Sequence, residues 1–280
     1  MRSTTFRIAA LASAAAFTLA ACGGDDDGGG GEAGSGDGEG LTVGIKYDQP
    51  GLGLMEGSDP TGFDVDVAKA VADKLGVSED DITWQEAPTP QREDLLVNES
   101  VDMIFATYSI TDERKERVQF SGPYFVAGQD LLVAADDTEI TGPDTLEGKI
   151  LCSVAGSTPA ERVAEEYPGV QIQEFDTYSL CVENLSSGQV DALTTDDVIL
   201  AGYAAQSQWE GQFQVVGAPF SEELYGVGLN QDDERCEEIN TALEELYEDG
   251  TMDQIIEDNF GAVGYTPSDA NPPEIGGHCA

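Results

Sequence analysis

LTVGIKY (residues 41–47) and GFDVDVAKAVADKLG (62–76) together decide the fold class. The first alternates β-branched residues with others, as a half-buried strand does. The second repeats apolar residues at Phe63, Val67, Ala68, Val71, Ala72 and Leu75, a helical spacing that stops at Gly76. The pair predicts a βα unit. Working outward, ITWQEA (82–87), a short helix over 92–98, VDMIFAT (101–107) and a helix opening at Thr111 continue the alternation. A second series starts at QDLLVAA (129–135) and runs through KILCSV (149–154), a helix in STPAERVAEEY (157–167), VQIQEF (170–175) and the helical TYSLCVENLSSG (177–188). It goes on through VDALTTD (190–196), the helix DVILAGYAAQ (197–206) and FQVVG (213–217). Strands alternating with helices argue for α/β lobes on mainly parallel sheets covered on both faces. After a last strand, YGVGLN (225–230), the amphipathic stretch 236–260 suits either lobe, and Gly and Pro thicken from Gly261 onward, which suggests a loosely held tail.

The chain has 280 residues, but its first 40 do not read as part of a packed core. Residues 1–21 carry Arg2 and Arg7 ahead of a small-residue apolar run, too short to span a bilayer comfortably, and read as a secretory signal peptide. The run ends Leu19-Ala20-Ala21-Cys22, which is similar to a bacterial lipobox with Cys22 as the lipidated residue; an ordinary signal peptide with an incidental cysteine is the alternative. The Gly- and Asp-rich stretch that completes 22–40 lacks the apolar residues to offset its ordering entropy and reads as a disordered tether. These features together predict a domain anchored to the outer face of the cell membrane.

Formal net charge is −43, from 12 basic and 55 acidic residues. Loss of Arg2 and Arg7 with the signal would leave 10 minus 55, or −45, so nucleic acid is not an expected partner. The ten remaining cations each carry information. Beyond Cys22, the cysteines are Cys152, Cys181, Cys236 and Cys279, an even number suited to an oxidising compartment. Of three possible pairings, Cys152 with Cys181 is favoured because one ends a strand and the other lies in a nearby helix; Cys236 with Cys279 follows by elimination. With His278 the sole histidine and no CxxC motif, no metal site or cofactor is expected.

LLVNESVDMIFATYSITDE (95–113) and NLSSGQVDALTTDDVIL (184–200) share a weak pattern of helix end, VD, apolar strand, then hydroxyls and an acid. Both strands deliver polar groups at their carboxyl ends, where open α/β sheets place ligands. In the first, Thr107 and Ser109 are expected on one side of an extended segment, with Thr111 and Asp112 positioned to cap the next helix. Arg114 then falls in the first helical turn, which is unfavourable against the helix dipole unless an anion binds there. Lys115 and Arg117 read as a solvated helix face. In the second lobe, Ser157, Thr158 and Pro159 open a helix whose N–H groups either accept an anion or are simply capped. Asp196 and Asp197 are a cap and a first-turn acid, or one of them faces a cleft and receives an ammonium. A carboxylate opposite an arginine describes a receptor for a zwitterion.

GFDVDVAKAVADKLG, QREDLLVNESVDMIFATYSITDERKERVQFSGPYF, AGSTPA, EFDTYSLCVENL and TTDDVILAGYAA carry a resemblance over about residues 41–265. The chain resembles the family 3 extracytoplasmic solute-binding proteins of ABC amino-acid importers, and among them the actinobacterial glutamate-binding lipoproteins. The resemblance implies a periplasmic-binding-protein-like type II fold, two α/β lobes joined by two crossover strands with a ligand cleft between. Residues 41–127 and 226–264 would form one lobe, 128–225 the other, and 265–280 a C-terminal tail. Arg114 matches the family's arginine for a ligand α-carboxylate, assisted by Thr107, Ser109 and the Ser157–Thr158 backbone, and Asp196 matches the acid that meets the α-ammonium. Lys46 and Arg92 match positions where acidic-amino-acid receptors similarly place cations; the alternatives are a surface strand end for Lys46 and pairing with Glu93 or Asp94 for Arg92. The implied function is capture of L-glutamate or L-aspartate by a monomer that delivers it to an ABC permease, without chemistry. A glutamine binder, a tethered sensor and a cyclohexadienyl dehydratase-like enzyme using Glu86 or Glu222 are the alternatives.

Overall fold

A computed structural model describes residues 40–280, so the expected signal peptide, Cys22 and all of the expected tether but Gly40 lie outside the described residues. β1 (Leu41–Ile45) sits inside its sheet, which is why Leu41, Val43 and Ile45 are all buried. A feature without a sequence signal follows: β2 (Asp48–Gln49), β3 (Gly53–Glu56) and β4 (Asp59–Thr61) form a small antiparallel sheet. Helix α1 (Phe63–Lys74) then buries Phe63, Val67, Ala68, Val71 and Ala72, five of the positions its periodicity marked. β5 (Ile82–Glu86), α2 (Arg92–Val97), β6 (Met103–Phe105), the four-residue α3 (Asp112–Lys115) and β7 (Gln119–Ala127) complete the first passage.

The chain passes through Gly128 into β8 (Gln129–Ala134), β9 (Ile150–Val154), α4 (Thr158–Glu166), β10 (Gln171–Phe175), α5 (Tyr178–Ser186), β11 (Ala192–Asp196), α6 (Asp197–Ala204) and β12 (Phe213–Val215). It returns along β13 (Glu223–Leu229) to α7 (Cys236–Glu248) and α8 (Thr251–Phe260). Two five-stranded sheets result, ordered β5-β1-β6-β13-β7 and β10-β9-β11-β8-β12, so the chain crosses between lobes twice. The sheets are less parallel than their βα alternation implies: β13 runs antiparallel to β6 and β7, and β8 antiparallel to β11 and β12. The reason is topological, because the crossovers deliver strands without an intervening helix to reverse direction.

The single amphipathic stretch expected after 235 is two helices, broken at Gly250, whose φ of +82° is a left-handed conformation that glycine adopts without a steric penalty. They pack on α1 and β7, so they serve the first lobe. The loosely held tail is also corrected. Asn271 brackets Val126, accepting from its N–H at 2.9 Å and donating to its carbonyl at 2.8 Å, and Gly276 N–H donates to Gly122 O at 2.9 Å. The tail thereby covers the outer edge of β7, an edge strand whose unpaired backbone would otherwise be left to solvent. Both disulfides form as paired from the sequence, Cys152–Cys181 and Cys236–Cys279, and the second ties the tail to α7.

Candidate functional site

The carboxyl ends of β6 and β11, the amino end of α4 and the β2 hairpin converge on one small cavity. Of the eight residues singled out, Arg92, Thr107, Ser109, Arg114, Ser157, Thr158 and Asp196 line it. Lys46 does not. It lies behind the wall, 5% exposed, with Nζ donating to the Thr89 hydroxyl at 2.5 Å. That bond occupies a Thr89 lone pair and leaves the hydroxyl proton of this lining residue free to point into the cavity.

Arg114 is held by its own local sequence. Thr111 caps α3 by accepting the Arg114 N–H at 3.2 Å, as its position implied, and the guanidinium turns inward. Its Nη1 donates to Ser109 O at 2.7 Å and its Nη2 reaches across to Gly156 O of the other lobe at 3.1 Å. Glu93 Oε1 lies 3.5 Å from Nε and also accepts from the Tyr108 hydroxyl at 2.5 Å. The Tyr108 ring supports both arginines, with the guanidinium carbon of Arg92 at 4.0 Å from its centroid and that of Arg114 at 5.1 Å. Lys115 and Arg117 stay on the surface against Asp112 and Asp94, as expected.

Arg92 donates from Nη1 to Ala106 O at 3.0 Å, and its buried Nε has no partner. Neither Glu93 nor Asp94 takes it, because Glu93 turns to Arg114 and Asp94 to Arg117. Burial and the neighbouring Arg114 lower its pKa to about 10. Burial, with Arg92 beside it, lowers that of Lys46 to about 7. The expected extended backbone at Thr107 is corrected: φ is +46°, strained for a β-branched residue. Asp64, fully buried on α1, stabilises this turn by accepting from Thr107 N–H at 2.9 Å and the Tyr124 hydroxyl at 2.7 Å. Burial raises the Asp64 pKa to about 6 despite those donors.

On the facing wall Ser157 caps α4 through Ala160 N–H at 3.3 Å, so capping and cavity lining coexist there. Thr158 follows at the first helical position, where an N–H has no intrahelical acceptor, and its hydroxyl donates to buried Glu223 at 2.8 Å. Asp196 faces the cavity while Asp197 accepts from its own helix and Gly128, so the two acids divide the roles open to them. Asp196 Oδ2 accepts from Tyr225 at 2.6 Å, whereas its buried Oδ1 has no partner. Burial, with Glu223 nearby, pushes its carboxyl well above the usual carboxylate range. An orphaned carboxylate oxygen in such surroundings suits a cationic donor. Pro159 adds to the wall, and Gln49, Thr89, Tyr178 and Ile199 complete it without having been marked from sequence; the buried Gln49 Nε2 also has no partner.

With that geometry in place, residues 41–262 match the bacterial extracellular solute-binding proteins, family 3. The chain belongs to this family. It is similar to the glutamate-binding protein GluB of Corynebacterium glutamicum, 47% identical over 98% of this chain and 97% of the relative. It is also similar to the ABC transporter glutamine-binding protein GlnH of Bacillus subtilis, 35% identical over 78% and 80% of the two chains. Among solved structures, an ancestral arginine-binding protein bound to glutamine superimposes with a TM-score of 0.73, at 36% identity, over 79% of this chain and 97% of that one. As a family 3 member the chain is a solute-binding protein of an extracellular family and not an enzyme. Glu86 and Glu222 are exposed and stand outside the cavity lining. Among the described residues, no helix is long and apolar enough to cross a membrane, and no cluster of His, Cys, Asp and Glu is arranged to hold a metal.

Proposed function

We propose that this protein captures an acidic amino acid, L-glutamate, outside the cell and delivers it to an ABC permease. The observation that carries the choice of ligand is the disposition of cations. Among the described residues eight of the ten Lys and Arg side chains lie within 4.0 Å of a carboxylate oxygen. The two that do not are Lys46 and Arg92, both buried and both at the Thr89 end of one cavity. In a chain with 55 acidic residues, such isolation favours a carboxylate supplied by the ligand.

In this reading the α-carboxylate pairs with Arg114 and the Thr158 N–H, the α-ammonium meets Asp196 Oδ1, and the side-chain carboxylate lies against Arg92 and Thr89 with Lys46 behind. Ser109, Thr107 and Ser157 shape the carboxylate end. The lobes, 41–127 with 226–264 and 128–225, close on the ligand as a monomer, held at the membrane's outer face by lipidated Cys22. The names of the Corynebacterium and Bacillus relatives support an amino-acid ligand. One observation favours glutamine as a second reading: burial leaves Lys46 only partly charged near neutral pH, so Arg92 alone would face a side-chain carboxylate.

Titration calorimetry on two variants tests the assignment. Arg114→Gln is expected to abolish binding of glutamate and glutamine alike, and Arg92→Gln to weaken glutamate by about ten-fold or more while sparing glutamine. Unchanged glutamate affinity in Arg92→Gln would remove the side-chain assignment, and normal binding by Arg114→Gln would remove the clamp.

A further inference from the structure

Helix α6 begins at Asp197, directly after Asp196, and carries about a turn and a half further on a glycine, Gly202, in a helical conformation. Glycine is a poorer helix residue than alanine, yet Gly202 stands between Ala201 and Tyr203 in the interior of this helix. A side chain at 202 would meet the other lobe. The three nearest atoms to a β-carbon built there all belong to Pro50, in the β2 hairpin of the other lobe: the carbonyl oxygen, which it would overlap, the carbonyl carbon at 3.2 Å and the Pro50 β-carbon at 3.9 Å. The obstruction is backbone and cannot rotate aside. On either side of this contact lie Gln49, which lines the cavity, and Tyr203, whose hydroxyl donates to Asp48 O at 2.5 Å.

We infer that Gly202 is a positioning residue for ligand capture: its missing side chain lets α6 seat on Pro50, and so lets Asp196 and Arg114 reach one ligand from opposite lobes. The inference rests on the functional reading above and adds to it a determinant of closure remote from the ligand. The open form, with α6 away from Pro50, has no use for the glycine. Alanine at 202 therefore favours the helix in the open form and opposes the closed one, so its effects on fold and on binding have opposite signs.

The test compares wild type with Gly202→Ala, using L-glutamate and L-glutamine as probes. Ligand-free Gly202→Ala is expected to melt about 2 °C higher. Whatever the wild type binds is expected to bind about ten-fold or more weakly, by the same factor for both probes, and the contraction in radius of gyration seen by X-ray scattering on ligand addition should shrink. Wild-type affinity in the variant, or weakened binding accompanied by a lowered ligand-free melting point, overturns the inference, the latter because it marks an ordinary packing defect. A wild type that binds neither probe overturns the functional reading, and this inference with it.

Discussion

At the scale of single residues, the site is a set of polar atoms left incompletely bonded by their own protein. Asp196 Oδ1, Arg92 Nε and Gln49 Nε2 are buried without partners, which costs stability at each position unless a ligand or water completes the bonding. Lys46 adds a pH dependence. Its ammonium, lowered to about 7 by burial and Arg92 and opposed by Asp48 and Glu86, is charged below that value and neutral above it. A neighbouring cation strengthens binding of a side-chain carboxylate but not of an amide. The ratio of glutamate to glutamine affinity is therefore expected to fall between about pH 6 and about pH 8, a comparison in which the shared α-groups cancel. Lys46→Met should flatten that ratio, and calorimetry at the two pH values checks both. Arg114 and Asp196 were legible in the sequence because Arg114 falls in the first turn of a helix that Thr111 caps, and Asp196 stands where strand β11 gives way to α6. Gln49 and Tyr178 were not, since each reaches the cavity through a hairpin or a helix start with no polar motif, and Lys46, taken from the family resemblance as a ligand contact, stands behind Thr89, which a position just past β1 does not reveal.

At the scale of elements, the tail and β7 form a unit. Every residue of β7 is buried, and the chain end lies along its free edge through Asn271, Gly276 and His278, closed by Cys236–Cys279. That bridge spans 43 residues of sequence, so its loss releases substantial chain entropy in the unfolded state. Cys279→Ser is expected to lower stability by about 2–4 kcal/mol in denaturant titrations while leaving ligand affinity within about two-fold, because the tail touches β7 away from the cavity. An unchanged midpoint would mean that the tail contributes nothing to the fold. The βα units were legible because the hydrophobic period marks α1 and a hydroxyl cap, Ser157 or Thr177, opens α4 and α5. The tail was not: Gly and Pro composition reports how a segment bends, and its hydrogen bonds go to a strand about 150 residues earlier. The antiparallel crossovers were hidden for a similar reason, since β7 and β8 are separated only by Gly128 and no turn signal marks the change of sheet.

At the scale of the whole molecule, a chain of formal charge −43 concentrates Lys46, Arg92 and Arg114 at one place between its lobes. Among the described residues, Lys74, Arg117 and Lys149 lie against surface acids, where exposed pairs contribute little and mainly moderate repulsion. The lobes touch through Arg114 and Gly156, Asp48 and Tyr203, and Pro50 and Gly202, so closure and ligand recognition draw on adjoining residues. The central claim is that this enclosed, locally positive corner selects a zwitterion with an acidic side chain. Titration calorimetry of the wild-type protein with L-glutamate, L-aspartate, L-glutamine and L-asparagine tests it most directly. Glutamate is expected to bind tightest, with the neutral amides weaker by about ten-fold or more; tight glutamine binding with no heat from glutamate would contradict it.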